Sequence, residues 1–335
     1  MKTPADASAR SPETLNDVSE IAVLERIFPR LPTSSAQLLG PGDDAAVLAA
    51  PDGRFVVTTD MMIQGPDFRL AWSTPNDLGW KAAATNLSDV AAMGARGTAL
   101  VVAIAAPPST PVSVLEGIAD GLRECCEALA PGCGVVGGDL SASDALTLAV
   151  TAFGDLEGRE PVTRSGARVG DVVALAGRLG EAGLGLELLF RLGVDAEGVP
   201  DAGRAAALRA QHPDAVAAQL RPVPPLECGP AAALAGATAM LDVSDGLALD
   251  AGRIARASGV GIDFRSTALG ERIDVALGGG EDHGLLATFP PEAVLPEGFR
   301  ALGLVTADAG SVSVDGEPHA QGGWDPYRGW DGSVG

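Results

Sequence analysis

Apolar and polar positions alternate along this chain in blocks whose period changes several times. Ile21 to Phe28 repeats apolar residues at helical spacing and predicts a short amphipathic helix. Phe55 to Asp60 runs from apolar to polar, which predicts a buried strand with a polar end. The clearest element comes next. Thr74-Pro75-Asn76-Asp77 supplies an N-cap hydroxyl, a proline in the first turn and an acid three residues after the cap, so a helix should run to Met93 and stop at Gly94. At about 100° per residue, Trp80, Ala83, Leu87, Val90 and Ala91 fall on one side of it and Lys81, Thr85, Asn86 and Asp89 on the other. A solvated side would carry Glu, Lys and Arg. This one carries Thr, Asn and Asp, which are poorer helix formers, and is expected to face a polar site.

Ala99 to Ala105 is short and strongly apolar before Pro107-Pro108 and predicts a central strand. Val112 to Leu129 has helical periodicity; Gly134 to Val136 predicts a brief strand, and Leu146 to Phe153 another. The polar stretch Glu157 to Gly170 reads as a boundary. Beyond it, Val172 to Ala176 and Ala239 to Val243 predict strands, and Leu186 to Leu192 a helix. Leu247, Ala251, Ile254 and Ala255 repeat at helical spacing up to Ser258-Gly259. Asp195 to His212, polar and Ala-rich, reads as a variable surface insertion. The expected organisation is a flexible tail over 1–17, an N-terminal domain over 18–157 and a C-terminal α/β domain over 158–335.

The formal net charge of −21 argues against nucleic acid or an anionic membrane as partner. The N-terminus has no apolar h-region, and no apolar run is long enough to span a bilayer, so a cytoplasmic location is expected. Cys125, Cys126, Cys133 and Cys228 lack paired metal or redox spacing and read as reduced thiols.

Five acidic clusters change the picture. Gly42-Asp43-Asp44, Thr58-Thr59-Asp60, Asn86-Leu87-Ser88-Asp89, Gly137-Gly138-Asp139 and Asp242-Val243-Ser244-Asp245-Gly246 each set Asp beside Gly, Ser, Thr or Asn at the edge of an apolar stretch. Carboxylates gathered from such places repel unless a cation lies between them, and Mg²⁺ takes oxygen ligands and arrives with substrate phosphates. The only lysines are Lys2 and Lys81, and neither has P-loop or protein-kinase context. What remains is phosphoryl transfer by Asp-held Mg²⁺, helped by backbone N–H groups near Gly138 and by Arg164. A phosphate monoester acceptor is largely dianionic at neutral pH and attacks without a general base, so no catalytic side chain beyond the metal and positioning groups is expected.

The clusters, with Thr163-Arg164-Ser165-Gly166-Ala167 and Gly279-Gly280-Glu281-Asp282, occur in the order that marks the thiamine-monophosphate kinase family, which the chain resembles from roughly Leu24 to Tyr327. The run Asn86 to Ala95, N-L-S-D-V-A-A-M-G-A, is the most specific part of the match. The resemblance implies a two-domain α/β (α+β) fold like that of aminoimidazole ribonucleotide synthetase, with mixed sheets and helices on one side of each. It implies ATP-dependent conversion of thiamine monophosphate to thiamine diphosphate with several Mg²⁺ ions. A homodimer built through the N-terminal domains is implied as well. Carried over position by position, Asp44, Thr58, Thr59, Asp60, Asp89, Asp139, Asp242 and Asp245 match metal-binding positions. Gly138, Asp139, Arg164 and Ser244 match positions that hold ATP, and Glu281 and Trp324 match the substrate end. Two departures touch that end: Gly65-Pro66-Asp67-Phe68 stands where the family has G-V-H-F, and His283-Gly284-Leu285 where it has Tyr-Glu-Leu. Asp67 in the histidine's place is expected to accept a hydrogen bond or oppose the thiazolium charge. An ATP-dependent ligase or cyclase of the same superfamily acting on a purine precursor is the alternative, and a regulatory nucleotide-binding subunit without turnover is a third reading.

Overall fold

Alternation of buried and half-exposed residues along Thr147–Asp155 shows how the first half of the chain is built: one face of a sheet is packed and the other is open. The computed structural model describes residues 13–41 and 45–320. In chain order the elements are α1 (Glu20–Ile27), β1 (Gln37–Leu39), β2 (Val47–Leu48), β3 (Val56–Ile63), α2 (Pro75–Ala92), β4 (Arg96–Ala106), α3 (Val112–Leu129), β5 (Gly134–Ala142) and β6 (Thr147–Asp155). The second half continues with β7 (Val172–Ala176), α4 (Glu181–Leu192), α5 (Ala202–Gln211), α6 (Pro213–Leu220), α7 (Cys228–Leu234), β8 (Ala239–Val243), α8 (Leu247–Ser258) and β9 (Gly261–Phe264). It closes with α9 (Ile273–Gly278), β10 (Gly284–Phe289), β11 (Phe299–Thr306), β12 (Val312–Val314) and β13 (Glu317–Pro318).

The first sheet has the order β3-β6-β4-β5, with β4 and β5 parallel and the other pairs antiparallel. Helices α2 and α3 cover one face of it through Leu78, Leu87, Val90, Ile118 and Leu122. The two helices cross where glycines let the backbones touch: a Cβ on Gly79 would stand 1.9 Å from the Ile118 carbonyl oxygen, and one on Gly121 2.0 Å from that of Asn76. Helix α2 begins as its sequence requires, with the Thr74 hydroxyl accepting from the Asp77 N–H and the Asp77 carboxylate accepting from the Thr74 N–H. Residues 13–17, expected as the end of the tail, are pinned instead, since the Leu15 and Asn16 N–H groups donate to Thr110 and Pro108 carbonyls.

The second sheet, β13-β12-β9-β11-β7-β10-β8, is antiparallel apart from the β12–β9 pair. Strands β7, β8 and β10 are apolar runs because both of their faces are covered. Residues of α8 and α9 pack on one face. Beyond the expected single helical layer, α7 and the last turn of α2, through Ala91 and Ala92, pack on the other. Helix α2 therefore belongs to both halves, and side chains on it reach both sheets. The stretch 195–212 contains a helix, and its Ala205 and Leu208 are buried against Trp72 and Leu189. Arg209 of that helix reaches Asp77 at 2.7 Å, so the stretch is tied to the start of α2.

Candidate active site

Strand β3 presents Thr58, Asp60 and Met62 to α2, and Met62 is buried in the core there. The Thr58 hydroxyl donates to an Asp89 carboxylate oxygen at 2.9 Å, and the Asp60 N–H donates to the Asn86 amide oxygen at 3.0 Å. The polar side of α2 expected from the sequence thus clamps β3 and turns carboxylates into the gap between the two halves. From the other half, β8 ends at Asp242 and Val243, and the buried Asp242 carboxylate lies 3.1 Å from His283 Nδ1.

Asp60, Asp89 and Asp242 act on one another electrostatically. Burial, reinforced by the charges of Asp242 and Asp60, pushes Asp89 up to about 7. Burial, then the Asp242 charge, also raises Asp60. Burial alone would raise Asp242 too, but the His283 hydrogen bond and charge and a proton held on Asp89 keep it below the ordinary carboxylate range. Negative charge is packed here beyond what the protein neutralises, and all the donors are oxygens, as a hard divalent cation requires. Among the described residues no three Asp, Glu, His or Cys side chains converge tightly enough to hold an ion by themselves. Mg²⁺ is usually held by one or two carboxylates plus water and substrate phosphate, so this donor set fits it.

A turn between α9 and β10 carries the next groups. Glu281 and His283 have φ of 69° and 51°, a conformation that non-glycine residues rarely adopt. The turn is held by Asp282, whose buried carboxylate accepts from the Gly180 and Ala182 N–H groups, and by the Glu281 N–H donating to the Ser244 carbonyl. Glu281 is thereby set against Lys81 of α2, with which it forms an ion pair.

Two cavities flank these groups. The larger, about 1040 Å³, is lined by Thr58, Asp89, Asp242, Arg164, Phe55 and Met93 among others. The smaller, about 390 Å³, is lined by Asp67, Lys81, Ser244, Glu281 and an aromatic corner of Trp72 and Phe190. The Arg69 guanidinium stands 4.5 Å from the centroid of each of those two rings.

Not every expected residue joins this group. Thr59 points to the opposite face of its sheet, where its hydroxyl meets the Val150 carbonyl and the Thr151 hydroxyl, because neighbours on a strand alternate. Asp139 shares a cross-strand row with Ala103, Ala149 and Met61 and hence the open face, three strands from β3. Three strand spacings are about 14 Å, too far to share an ion with Asp60 of the same chain. The brief strand expected at 134–136 runs on to Ala142, so Gly138 and Asp139 lie within it, beside an apolar cavity of about 580 Å³ between α1 and α3. Asp245 and Ser244 sit in the β8–α8 turn and not in the helix; Asp245 is bound by Arg253 at 2.6 Å, and the Asp250 carboxylate accepts from both of their N–H groups. Asp67 lines the smaller cavity while its carboxylate also accepts from the Ile63 N–H at 2.7 Å. Asp44 and Trp324 lie outside the described residues. The sequence reading set Lys81 on the side of α2 expected to face a polar site but gave it no role, and it missed Arg69, Trp72 and Phe190 as cavity-lining groups. Lys81 had a signal, since it shares a stripe with Thr85 and Asp89 at four-residue spacing.

Residues 42–156 match the family model described as AIR synthase related protein, N-terminal domain. Over 98% of its length the chain is 43% identical to thiamine-monophosphate kinase of Mycobacterium tuberculosis, covering 96% of that protein. The chain belongs to the thiamine-monophosphate kinase family. It is also 39% identical to the Corynebacterium glutamicum member, with 89% of each chain covered. Among solved structures, thiamine-monophosphate kinase from Stenotrophomonas maltophilia K279a superposes with a TM-score of 0.74 at 30% identity, over 90% of this chain and 98% of that one. AaThiL complexed with AMPPCP and TMP gives 0.71 at 32% identity, over 84% and 90%. Hydrogenase maturation protein HypE, at 19% identity and a TM-score of 0.66 over 92% of this chain and 98% of that one, shares the fold. Of the two departures noted in the sequence, Asp67 lines the smaller cavity and the buried His283 lies against Asp242.

Proposed function

We propose that this protein transfers the γ-phosphoryl group of ATP to thiamine monophosphate, giving thiamine diphosphate and ADP. The observation that carries the reading is the pair of cavities on either side of the Asp60, Asp89 and Asp242 carboxylates, in a chain 43% identical along nearly its whole length to a thiamine-monophosphate kinase. ATP occupies the larger cavity, with Arg164 on its phosphates or base; Ser244 lines the smaller cavity and Gly138 lies on β5, so neither lines the larger one. The acceptor occupies the smaller cavity, which Asp67 and Glu281 line, and the family match assigns Trp324 to the same substrate. Asp60, Asp89 and Asp242, with the Thr58 hydroxyl, would hold Mg²⁺, joined by Asp44 and Asp245. Bound Mg²⁺ offsets repulsion between the two polyanionic reactants and stabilises charge on the transferring phosphoryl group. The chain's own contribution is placement: α2 and β3 fix one wall, the Glu281 turn fixes the other, and both reactants are held in line with water excluded.

A homodimer is part of the proposal. The uncovered face of the first sheet exposes Val57 and Met61 by 59% and 58%, and its strands β3 and β5 are both edges. A second copy laid on that face is how Asp139, on the same open face, would meet Thr59, because the partner's β5 can approach β3 as its own cannot. A cytoplasmic site of action is proposed with it; among the described residues no helix is long and apolar enough to cross a membrane. The test is ADP release with Mg²⁺ and ATP, offered thiamine monophosphate or formylglycinamidine ribonucleotide. Turnover with the first alone supports the proposal; turnover with the second assigns the chain to purine chemistry.

A further inference from the structure

We infer that Lys81 receives the phosphate of the acceptor, and that Glu281 is its counter-ion only while the site is empty. The inference rests on the smaller cavity being the acceptor site. Lys81 is the only lysine of the chain besides Lys2, and its side chain is 6% exposed inside a helix otherwise packed on all sides. A buried ammonium is costly unless paired. Here its Nζ is paired with Glu281 and donates to the Gln219 carbonyl oxygen at 3.1 Å.

Among the described residues the cations lining this cavity are Lys81, paired with Glu281, and Arg69, held on the Trp72 and Phe190 rings. Arg69 is stacked on Trp72 and Phe190 among Leu186 and Leu189, where an apolar ring would lie. Lys81 stands at the end shared with Ser244 and Glu281, and Ser244 follows directly on the strand that carries Asp242. The attacking phosphate has to point toward those carboxylates and the nucleotide beyond them, so it lies at the Lys81 end. Asp67 and Glu281 set two carboxylates beside the same space, which would repel a dianion. Lys81 is the group placed to offset them. Its partner is mounted rigidly: Glu281 sits at φ 69° with its N–H tied to Ser244, and a Cβ on the preceding Gly280 would stand 2.5 Å from the Ser244 carbonyl oxygen. The flexible lysine stem can therefore exchange a fixed carboxylate for an arriving phosphate without moving the turn.

The test compares Lys81→Met/Glu281→Gln with Glu281→Gln alone, so that no unpaired Glu281 carboxylate confuses the result. Titration calorimetry with thiamine monophosphate and with thiamine, under Mg²⁺ and a non-hydrolysable ATP analogue, gives the preference for the phosphorylated ligand. Loss of a charge-assisted hydrogen bond lowers that preference by roughly 10- to 100-fold in the double variant, with thiamine affinity unchanged, and Lys81→Arg retains most of it. Equal preference in the double variant and Glu281→Gln overturns the assignment, as does a parallel loss of both ligands. Wild-type protein that binds neither ligand instead overturns the acceptor-site reading and takes this inference with it.

Discussion

Replacing Asp89 with Asn is expected to raise the stability of the metal-free protein while ending phosphoryl transfer. Asp89 is held at about 7 against an ordinary 3.8 because it is buried beside Asp242 and Asp60. A folded-state value above the unfolded one means that the folded chain binds the extra proton. Stability from this group is then intact below about pH 4, falls as pH rises toward 7, and is flat above that. The gap corresponds to a ceiling of about 4 kcal/mol at pH 8, and sharing of the proton with Asp242 reduces the expected gain to roughly 1–3 kcal/mol. Asn mimics the protonated acid: its amide oxygen can accept from Thr58, as Asp89 does now, and its amide nitrogen can donate to Asp242. Thermal unfolding at pH 5 and pH 8 with EDTA should show the variant's advantage growing with pH to several degrees. Adding Mg²⁺ with an ATP analogue should stabilise the wild type by about 3 kcal/mol at a hundredfold excess over Kd, and the variant far less. A variant less stable than wild type at pH 8 in EDTA, or one stabilised equally by Mg²⁺, would refute the reasoning.

Other outcomes follow from the same structure. Gly121→Ala should cost about 3 kcal/mol in denaturant unfolding, because its Cβ would enter the Asn76 carbonyl oxygen at the α2–α3 crossing. Asp67→Asn keeps an acceptor for the Ile63 N–H but removes a negative charge from the wall of the acceptor cavity, so KM for thiamine monophosphate should fall several-fold with Tm nearly unchanged. Met61→Arg on the open sheet face should give a monomer in sedimentation and lose transfer, since Asp139 then has no β3 to approach; an active monomer would remove Asp139 from the site.

Local rules made much of this fold legible in the sequence. The Thr74 cap, the Pro75 start and the Gly94 stop placed α2 to within a residue, and its unusual Thr-Asn-Asp side is the one that hydrogen-bonds to β3. Asp89 lies on that side and Asp242 near the end of β8, as their local patterns suggest, while Asp60 lies mid-strand because β3 runs on to Ile63. The misses are long-range. That Thr59 turns away from Thr58 follows from strand alternation, but which of the two faces the site depends on where α2 packs. Asp139 carries the same local signature as Asp60, and only the strand order separates them by three positions. Trp72 and Phe190 lie far apart in sequence, and their corner exists because α4 and α5 pack beside the start of α2.

The most direct test of the central claim, that clustered carboxylates between two cavities join ATP to a phosphorylated acceptor through Mg²⁺, is a ³¹P NMR time course of the purified protein. With ATP, Mg²⁺ and thiamine monophosphate, diphosphate resonances of thiamine diphosphate should grow in step with ADP and stop when Mg²⁺ is chelated. ADP accompanied by inorganic phosphate, at a rate indifferent to thiamine monophosphate, would contradict it.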